Sequence, residues 1–200
     1  MKIVRLLSFV LLVAFGGVLA ADLVRLGNDV VPTAEAVSLT TDPRSDDYSG
    51  SVVIDLQVKK ATPAFRFHAE DMTLASLKLT KGNSAVAVTH AKGDDGTMLV
   101  TASKPLQPGQ YTLSIEFTNK YNRQAVGLYK MTVKDGTPYL FTQFEAIDAR
   151  RAFPCWDEPG FKIPYQVTLT IPEQYDSVSN TPVASESKKD GQKTIQFAKT

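Results

Sequence analysis

Apolar and polar residues alternate with a period of two through most of the chain after its first twenty residues. The clearest instances are Val52–Val58, Tyr111–Phe117 and Tyr165–Ile171, in which every second residue is apolar. Because successive side chains of a β-strand point to opposite faces, this pattern predicts strands with one buried face. The same alternation, over fewer residues, predicts further strands at residues 65–68, 74–79, 85–89, 97–102, 128–133 and 194–198.

Turn-forming pairs separate these segments, among them Asp95-Gly96, Asp135-Gly136 and Asp190-Gly191. Glycine accepts the positive φ that tight turns require, so these pairs mark chain reversals between strands. Helical periodicity is almost absent. We therefore expect an all-β fold, with antiparallel sheets packed as a sandwich or saddle, in a single domain over residues 21–200.

The first twenty residues have a different character. Lys2 and Arg5 precede an apolar stretch, Leu6–Leu19, and small residues end it at Ala20. This layout is typical of a secretory signal peptide and is too short to favour a stable membrane span. We expect cleavage between Ala20 and Ala21 and export to the periplasm or the extracellular space. An uncleaved leader that anchors the chain to a membrane is the alternative.

The charge balance excludes one large class of partners. The chain has 22 Lys and Arg against 21 Asp and Glu, so it offers no basic excess for nucleic acid. Its single cysteine, Cys155, has no partner for a disulfide. We expect this thiol to be a small buried packing residue.

Residues 142–159 form the most distinctive segment, and they read TQFEAIDARRAFPCWDEP. A short helix or turn is predicted from Asp148 to Ala152, and it must end before Pro154 because proline disfavours α geometry in the preceding residue. Four charged residues of the segment are expected to form ion pairs that fix this turn. They are Arg150, Arg151, Asp157 and Glu158.

This segment closely resembles the signature T-Q-F-E-x-x-x-A-R-x-A-F-P-C-[FW]-D-E-P of the aminopeptidase N family, the zinc-dependent gluzincin aminopeptidases. Weaker family motifs occur in the same order, from about Val31 to the C-terminus. They are Tyr48-Ser49-Gly50, Leu106-x-Pro108-Gly109-x-Tyr111, Gly127-Leu128-Tyr129 and Ser179-Asn180-x-Pro182. The resemblance implies an N-terminal β-domain whose signature segment faces the active site of a larger enzyme.

The resemblance also implies two substrate-binding residues. In the family, the Glu of Thr-Gln-Phe-Glu helps to bind the free amino group of a peptide substrate, and this residue is Glu145 here. A carboxylate suits the task because its hydrogen bond to an ammonium group is charge-assisted. The Gln of the same motif helps to shape the pocket for the first substrate side chain, and this residue is Gln143. Gly127-Leu128-Tyr129 either lines the same cleft or has a core or edge role.

The chain lacks the family's catalytic and metal-binding motifs. A gluzincin holds zinc through H-E-x-x-H, which places two histidines on one face of a helix. The chain contains only His68 and His90, and neither begins this motif. A Gly-x-Met-Glu-Asn stretch is also absent. We expect no catalytic residue and no cofactor in this chain, zinc in the full-length enzyme, and a catalytic domain beyond a truncated end at Thr200.

Two other interpretations remain open from the sequence. The chain could be a stand-alone β-sandwich that binds peptides or partner proteins without catalysis. It could also belong to a relative that hydrolyses epoxides, but such relatives carry Gln at the last position of the Thr-Gln-Phe-Glu motif. Glu145 therefore favours an aminopeptidase.

Overall fold

A computed structural model describes residues 24–200 of the chain. The predicted leader, residues 1–20, and its cleavage site lie outside this range. The described part consists of thirteen strands and one short 3₁₀ helix. The strands are β1 (Val30–Thr40), β2 (Asp47–Val58), β3 (Thr62–His68), β4 (Thr73–Lys81), β5 (Ser84–Val86), β6 (Val88–Lys92), β7 (Thr97–Leu106), β8 (Gly109–Lys120), β9 (Gly127–Thr132), β10 (Pro138–Gln143), β11 (Tyr165–Pro172), β12 (Val183–Lys189) and β13 (Gln192–Phe197).

The all-β prediction is confirmed. The 3₁₀ helix, Ala149–Arg151, is the single helical element between residues 24 and 200. None of the helical structure in that range is long and apolar enough to cross a membrane. The alternation also places side chains as expected, since the apolar positions of β2 and β8 are buried. These buried residues are Val52, Ile54, Leu56, Val58, Tyr111, Leu113, Ile115 and Phe117.

The strands form three sheets. The largest has eight strands in the order β12-β13-β11-β1-β2-β8-β4-β5, a second has β3-β7-β6, and β9 pairs with β10 in a hairpin. All pairs are antiparallel except β1 with β11, which is parallel. This one parallel pair departs from the purely antiparallel arrangement that we expected.

Three strands have no clear signal in the sequence. A β-bulge between Pro32 and Ala34 interrupts the alternation of β1. The edge strand β12 is exposed along its whole length, so it needs no apolar positions. The third is β10, which mixes aromatic and polar residues without a clear alternation. The segment predicted at residues 85–89 is divided between β5 and β6, which belong to different sheets.

One large apolar cluster joins the eight-stranded sheet to the three-stranded sheet. It includes residues of β1, β2, β4 and β8 on one side and of β3 and β7 on the other. Trp156 from the signature segment lies in the same cluster and stacks on Phe65 and Phe67, with ring centroids 6.1 and 6.0 Å away. The signature segment is therefore part of the core as well as of the surface.

Gly50 in β2 marks a very close contact within the large sheet. A Cβ atom at this position would lie 2.8 Å from Leu39 Cδ2, from Phe117 Cζ and from the carbonyl oxygen of Ser38. The backbone carbonyl cannot move away without disturbing β1. We predict that Gly50→Ala lowers the free energy of unfolding by about 1–3 kcal/mol, because overpacking strains a close-packed core. Urea unfolding followed by circular dichroism measures the change.

Gly160→Ala is the matched control, since a Cβ at Gly160 would meet no atom within 4 Å. Its stability should stay within about 0.5 kcal/mol of the wild type, as is usual for surface substitutions. Equal stabilities for the Gly50 variant and the control would show that the sheet accommodates the added methyl group.

Candidate functional site

The two residues predicted to bind substrate lie at the end of the β9–β10 hairpin. Gln143 is the last residue of β10 and pairs with Gly127, the first residue of β9. Glu145 follows in the turn after the strand, and both side chains are exposed. Phe144 between them is half-buried and packs edge-to-face on Phe153, with ring centroids 5.7 Å apart. The structure thus places Gln143 and Glu145 on either side of one anchoring aromatic residue.

The turn that carries Glu145 is closed by a backbone hydrogen bond. The Glu145–Ala146 peptide bond is cis. The Asp148 N–H donates to the Phe144 carbonyl oxygen at 3.0 Å, and the chain then enters the 3₁₀ helix. The predicted short turn is confirmed, but Asp148 makes no side-chain capping bond. Its carboxylate instead accepts a hydrogen bond from Arg151 Nε at 3.0 Å.

Gly127 allows the hairpin to approach this helix closely. Its φ is +62°, and a Cβ at this position would lie 2.9 Å from Arg151 Cβ. Both facts favour glycine, which has no side chain and accepts a positive φ. Since Gly127 pairs with Gln143, this contact helps to fix the end of β10 relative to the helix.

Arg150 and Asp157 form a buried ion pair beneath the turn. Their side chains are only 8% and 12% exposed, and Arg150 Nε lies 3.0 Å from Asp157 Oδ2. The guanidinium also donates to the backbone carbonyls of Asp157 and Asp95, at 2.9 and 3.1 Å. A buried charge is stable only when it is paired and hydrogen-bonded, and Arg150 meets both conditions. The predicted structural role of this pair is confirmed.

Arg151 has different partners from those expected. It contacts three carboxylates, those of Glu70 at 2.6 Å, Asp71 at 2.7 Å and Asp148 at 3.0 Å. Its carbonyl oxygen accepts a hydrogen bond from Asn119 Nδ2 at 2.8 Å. Arg151 therefore links the 3₁₀ helix to the β3–β4 connection and to β8.

Glu158 forms no ion pair among the described residues, so the prediction that it pairs across the turn is wrong. Its Oε1 accepts a hydrogen bond from the Leu26 N–H at 2.9 Å, which holds the start of the described chain against the signature. This contact joins residues 132 positions apart in the sequence. Spacing within the signature could not reveal it.

His68 ties the signature to the end of β3. It exchanges two backbone hydrogen bonds with Cys155, at 2.8 and 2.9 Å. Its Nδ1 accepts a hydrogen bond from the Asp157 N–H at 3.2 Å. Burial, with a smaller effect of the nearby Arg150 guanidinium, lowers the pKa of His68 to about 4. The imidazole is therefore neutral at physiological pH.

Cys155 is a buried free thiol, as predicted. Burial raises the pKa of this thiol well above its usual range. A reactive cysteine needs a lowered pKa, so this environment favours an inert packing role.

Glu35 is a buried acid near Cys155 of the signature segment. It lies on β1, is 2% exposed, and neither of its carboxylate oxygens has a hydrogen-bond partner in the structure. Burial raises the pKa of Glu35 well above its usual range. The backbone of Glu35 keeps the regular pairing of β1 with β11, in which it lies opposite Tyr165. No pattern in the sequence singles out this residue.

Metal ligands are not grouped in the part of the chain that the structure describes. Within residues 24–200, no three His, Cys, Asp or Glu side chains lie together as a metal site would require. The side chains of this range therefore do not fit a zinc site.

Residues 31–200 match the family model of the peptidase M1 N-terminal domain. The chain belongs to the M1 peptidase family. This finding confirms the family that the signature indicated, and it assigns the described fold to the N-terminal domain of M1 peptidases.

Relatives of this M1 domain are named as aminopeptidases. The chain is 33% identical to the puromycin-sensitive aminopeptidase of Caenorhabditis elegans, over 87% of this chain and 19% of the relative. It is 31% identical to aminopeptidase N of Acetobacter pasteurianus, over 88% of this chain and 50% of the relative. It is also 31% identical to aminopeptidase M1-C of Oryza sativa subsp. japonica, over 86% of this chain and 20% of the relative. The chain thus spans between a fifth and a half of these relatives.

We predict that His68 makes the stability of this domain depend on pH. Its pKa falls from 6.5 to about 4 on folding, so the unfolded chain takes up a proton at higher pH than the folded domain. The contribution of His68 to the free energy of unfolding is fully present above pH 6.5. It decreases as the pH falls below 6.5 and is lost once the pH has fallen through about 4. His68→Asn, which cannot gain this charge, should lack that contribution. The difference in unfolding free energy between wild type and variant should change by up to about 3 kcal/mol between pH 7 and pH 4.

Chemical unfolding of both proteins at several pH values measures this difference. Carboxyl groups titrate alike in the two proteins and cancel in the comparison. A difference that stays constant between pH 7 and pH 4 would show that His68 is not the titrating group.

Proposed function

We propose that this chain is the N-terminal, substrate-end-binding domain of an exported zinc aminopeptidase, which removes amino acids from the N-termini of peptides. The observation that carries the proposal is the placement of Glu145 and Gln143. Both are exposed at the end of one hairpin, in a domain of the M1 family whose relatives are named as aminopeptidases. Those names favour this interpretation over a stand-alone binding module.

The chemistry of the proposed task requires a free carboxylate. A free N-terminus differs from an internal peptide bond by one ammonium group, and a carboxylate can accept a charge-assisted hydrogen bond from it. The carboxylates of Asp148 and Asp157 are already bound to arginines. Glu145, in contrast, forms no ion pair among the described residues and is exposed. It is therefore free to bind a substrate amine.

The surrounding contacts suit a binding role that depends on accurate placement. Phe144 anchors the turn by packing on Phe153. The ion pairs of Arg151 with Glu70 and Asp71 hold the following helix to the sandwich. Such fixed neighbours reduce the entropy that a binding side chain loses when its ligand arrives. Gln143 is fixed by the β9–β10 pairing and would contact the first side chain of the substrate.

Zinc would be held by another part of the longer protein. We assign no metal ligand to residues 24–200, because no suitable group of side chains is present there. Zinc bound in that other part would supply the activation of water for peptide hydrolysis. The role of this chain would be to hold the substrate's amino end.

We predict that Glu145→Gln in the intact enzyme lowers kcat/KM on free-amine peptides by roughly thirty- to a thousand-fold. The reason is the loss of a charge-assisted partner in a closed site, which costs on the order of 2–4 kcal/mol. Steady-state kinetics on peptide amides measures the loss. The variant should unfold at nearly the wild-type temperature, because the Glu145 side chain is exposed and unpaired among the described residues.

Glu158→Gln is the matched control within the same signature. Glu158 is half-buried and its carboxylate accepts the Leu26 N–H, so its loss should appear in thermal unfolding more than in kinetics. If Glu145→Gln retains nearly wild-type kcat/KM, then Glu145 does not bind the substrate amine and the proposal fails.

Export is proposed from the sequence of the leader. We predict that the mature protein begins at Ala21, because a charged start, an apolar centre and the ending Val18-Leu19-Ala20 form a cleavable signal. N-terminal sequencing or intact mass determination of the protein recovered from its natural compartment tests this. A mature protein that still contains Leu6–Leu19 would indicate a membrane anchor.

A further inference from the structure

The carboxyl group of Glu35 faces the core of the sandwich without a polar partner. The residue is 2% exposed, and both of its carboxyl oxygens are buried without a hydrogen bond in the described part of the chain. Ile54 of β2 lies opposite Glu35, and Val37 follows two residues later on the same face of β1. Apolar surroundings accept a neutral acid far better than a carboxylate, whose desolvation nothing compensates. The fold therefore favours the protonated form of Glu35.

The ionisable groups around Glu35 do not offset its burial. Burial alone raises the pKa of Glu35. The groups that interact with it are the Cys155 thiol and the Tyr165 hydroxyl, whose pKa values are raised by burial and, to a smaller extent, by Glu35 itself. Asp157 acts on the same two groups and is paired with Arg150. A carboxylate at position 35 would thus have neutral or acidic neighbours.

Three aromatic rings lead from Glu35 to the turn that carries Glu145. Tyr165 lies directly opposite Glu35 on β11, and its ring packs on that of Phe153 with centroids 6.4 Å apart. Phe153 packs in turn on Phe144, at 5.7 Å. Phe144 is the residue before Glu145. We call Tyr165, Phe153 and Phe144 the aromatic row.

The aromatic row is less buried than the other neighbours of Glu35. Its three residues are half-buried, whereas Ile54 and Cys155 are 0% and 1% exposed. Close-packed side chains leave no room for water, so water that solvates an ionised Glu35 must enter beside the row. Its entry would separate the ring of Tyr165 from that of Phe153. The packing that anchors Phe144 would then be lost.

We propose that Glu35 is a positioning residue for Glu145, and that its protonated form keeps the turn at residues 144–148 closed through the aromatic row. Loss of the proton to solvent would open this turn. The consequence for substrate binding rests on the proposed function. An open turn would present Glu145 less accurately to a substrate amine, so recognition of the peptide end should weaken as the pH rises.

The direction of the pKa shift gives the pH range of this effect. In the open turn, hydrated Glu35 has its ordinary pKa of 4.5, whereas burial raises the pKa in the closed turn. The stabilisation of the closed turn is therefore fully present below pH 4.5 and is lost as the pH rises through the raised pKa. Between these two values the equilibrium constant for opening should rise by about tenfold per pH unit.

Amide hydrogen exchange followed by NMR tests the inference at pH values below and above 4.5. The Asp148 N–H donates to the Phe144 carbonyl oxygen, so its exchange reports the opening of the turn. Glu35→Gln keeps the shape of the side chain and stays neutral. The ratio of the Asp148 exchange rate in the wild type to that in the variant should be constant below pH 4.5 and should rise above it by up to about tenfold per pH unit. Glu35→Leu, which is also neutral, should give the same pH dependence.

Three controls separate this effect from a general loss of stability. Glu186→Gln removes an exposed carboxylate of β12 and should follow the wild type at every pH. The amides of β8, which is separated from β11 by β1 and β2, report opening of the whole sheet and should change less than that of Asp148. Phe153→Leu interrupts the aromatic row. In that background Glu35→Gln should no longer alter the pH dependence of Asp148 exchange.

Each outcome decides for or against the inference. A ratio for Asp148 that does not vary with pH would overturn it. Equal changes at Asp148 and in β8 would show that Glu35 affects only global stability, and an undiminished effect in the Phe153→Leu background would show that the row does not transmit it. Either result also overturns the inference.

Steady-state kinetics of the intact enzyme separates the two proposals. Under the proposed function, the ratio of KM for free-amine peptides between the wild type and Glu35→Gln should rise over the same pH range as the exchange ratio. A KM ratio independent of pH, together with the expected exchange, would refute the role of Glu145 and leave the inference standing. A KM ratio that rises without any change in exchange would refute the inference alone.

Discussion

The buried Arg150–Asp157 ion pair is the interaction on which the signature segment depends. Arg150 is 8% exposed in its side chain, and its guanidinium has an anionic partner and two carbonyl partners. Removing one member of such a pair leaves an uncompensated buried charge, which typically costs about 3–5 kcal/mol. The His68–Cys155 backbone bridge and the stacking of Trp156 on Phe67 hold the same segment through further contacts. Together these contacts leave the chain little freedom in how it leaves β10.

Charged residues of the signature thus differ in what surrounds them. Arg150, Asp157 and Glu158 are committed to partners within the domain, and Arg151 is shared among three carboxylates. Glu145 is the exception, since it is exposed on a turn whose neighbours are fixed. A rigid scaffold that presents a free charged group is the usual architecture of a binding loop. Glu35 is the opposite case, because it is buried without a partner and its raised pKa favours the neutral acid.

The sequence predicted most of the strands because the burial of one face of a strand produces the alternation of apolar and polar residues. Val52–Val58 and Tyr111–Phe117 alternate because one face of each strand packs in the core. The sequence did not predict β12, because this strand buries none of its residues. It also did not predict the pairing of β1 with β11, because strand order depends on contacts between distant segments. In the candidate site, the motif selected Gln143 and Glu145, and their role in substrate binding stays a prediction. Two partners of Arg151, Glu70 and Asp71, and the Leu26 partner of Glu158 are 80 to 132 residues away, and no local pattern reveals them.

The exposure of Glu145 limits how strongly this residue could bind a substrate amine within the described domain. Two unit charges 4 Å apart attract by about 1 kcal/mol in bulk water and by about 4 kcal/mol at the effective dielectric constant near a protein surface. On the hairpin alone, Glu145 would bind an ammonium group too weakly to select one peptide end from many competing cations. The roughly thirty- to a thousand-fold loss expected for Glu145→Gln therefore requires that water be excluded from around Glu145 in the intact enzyme.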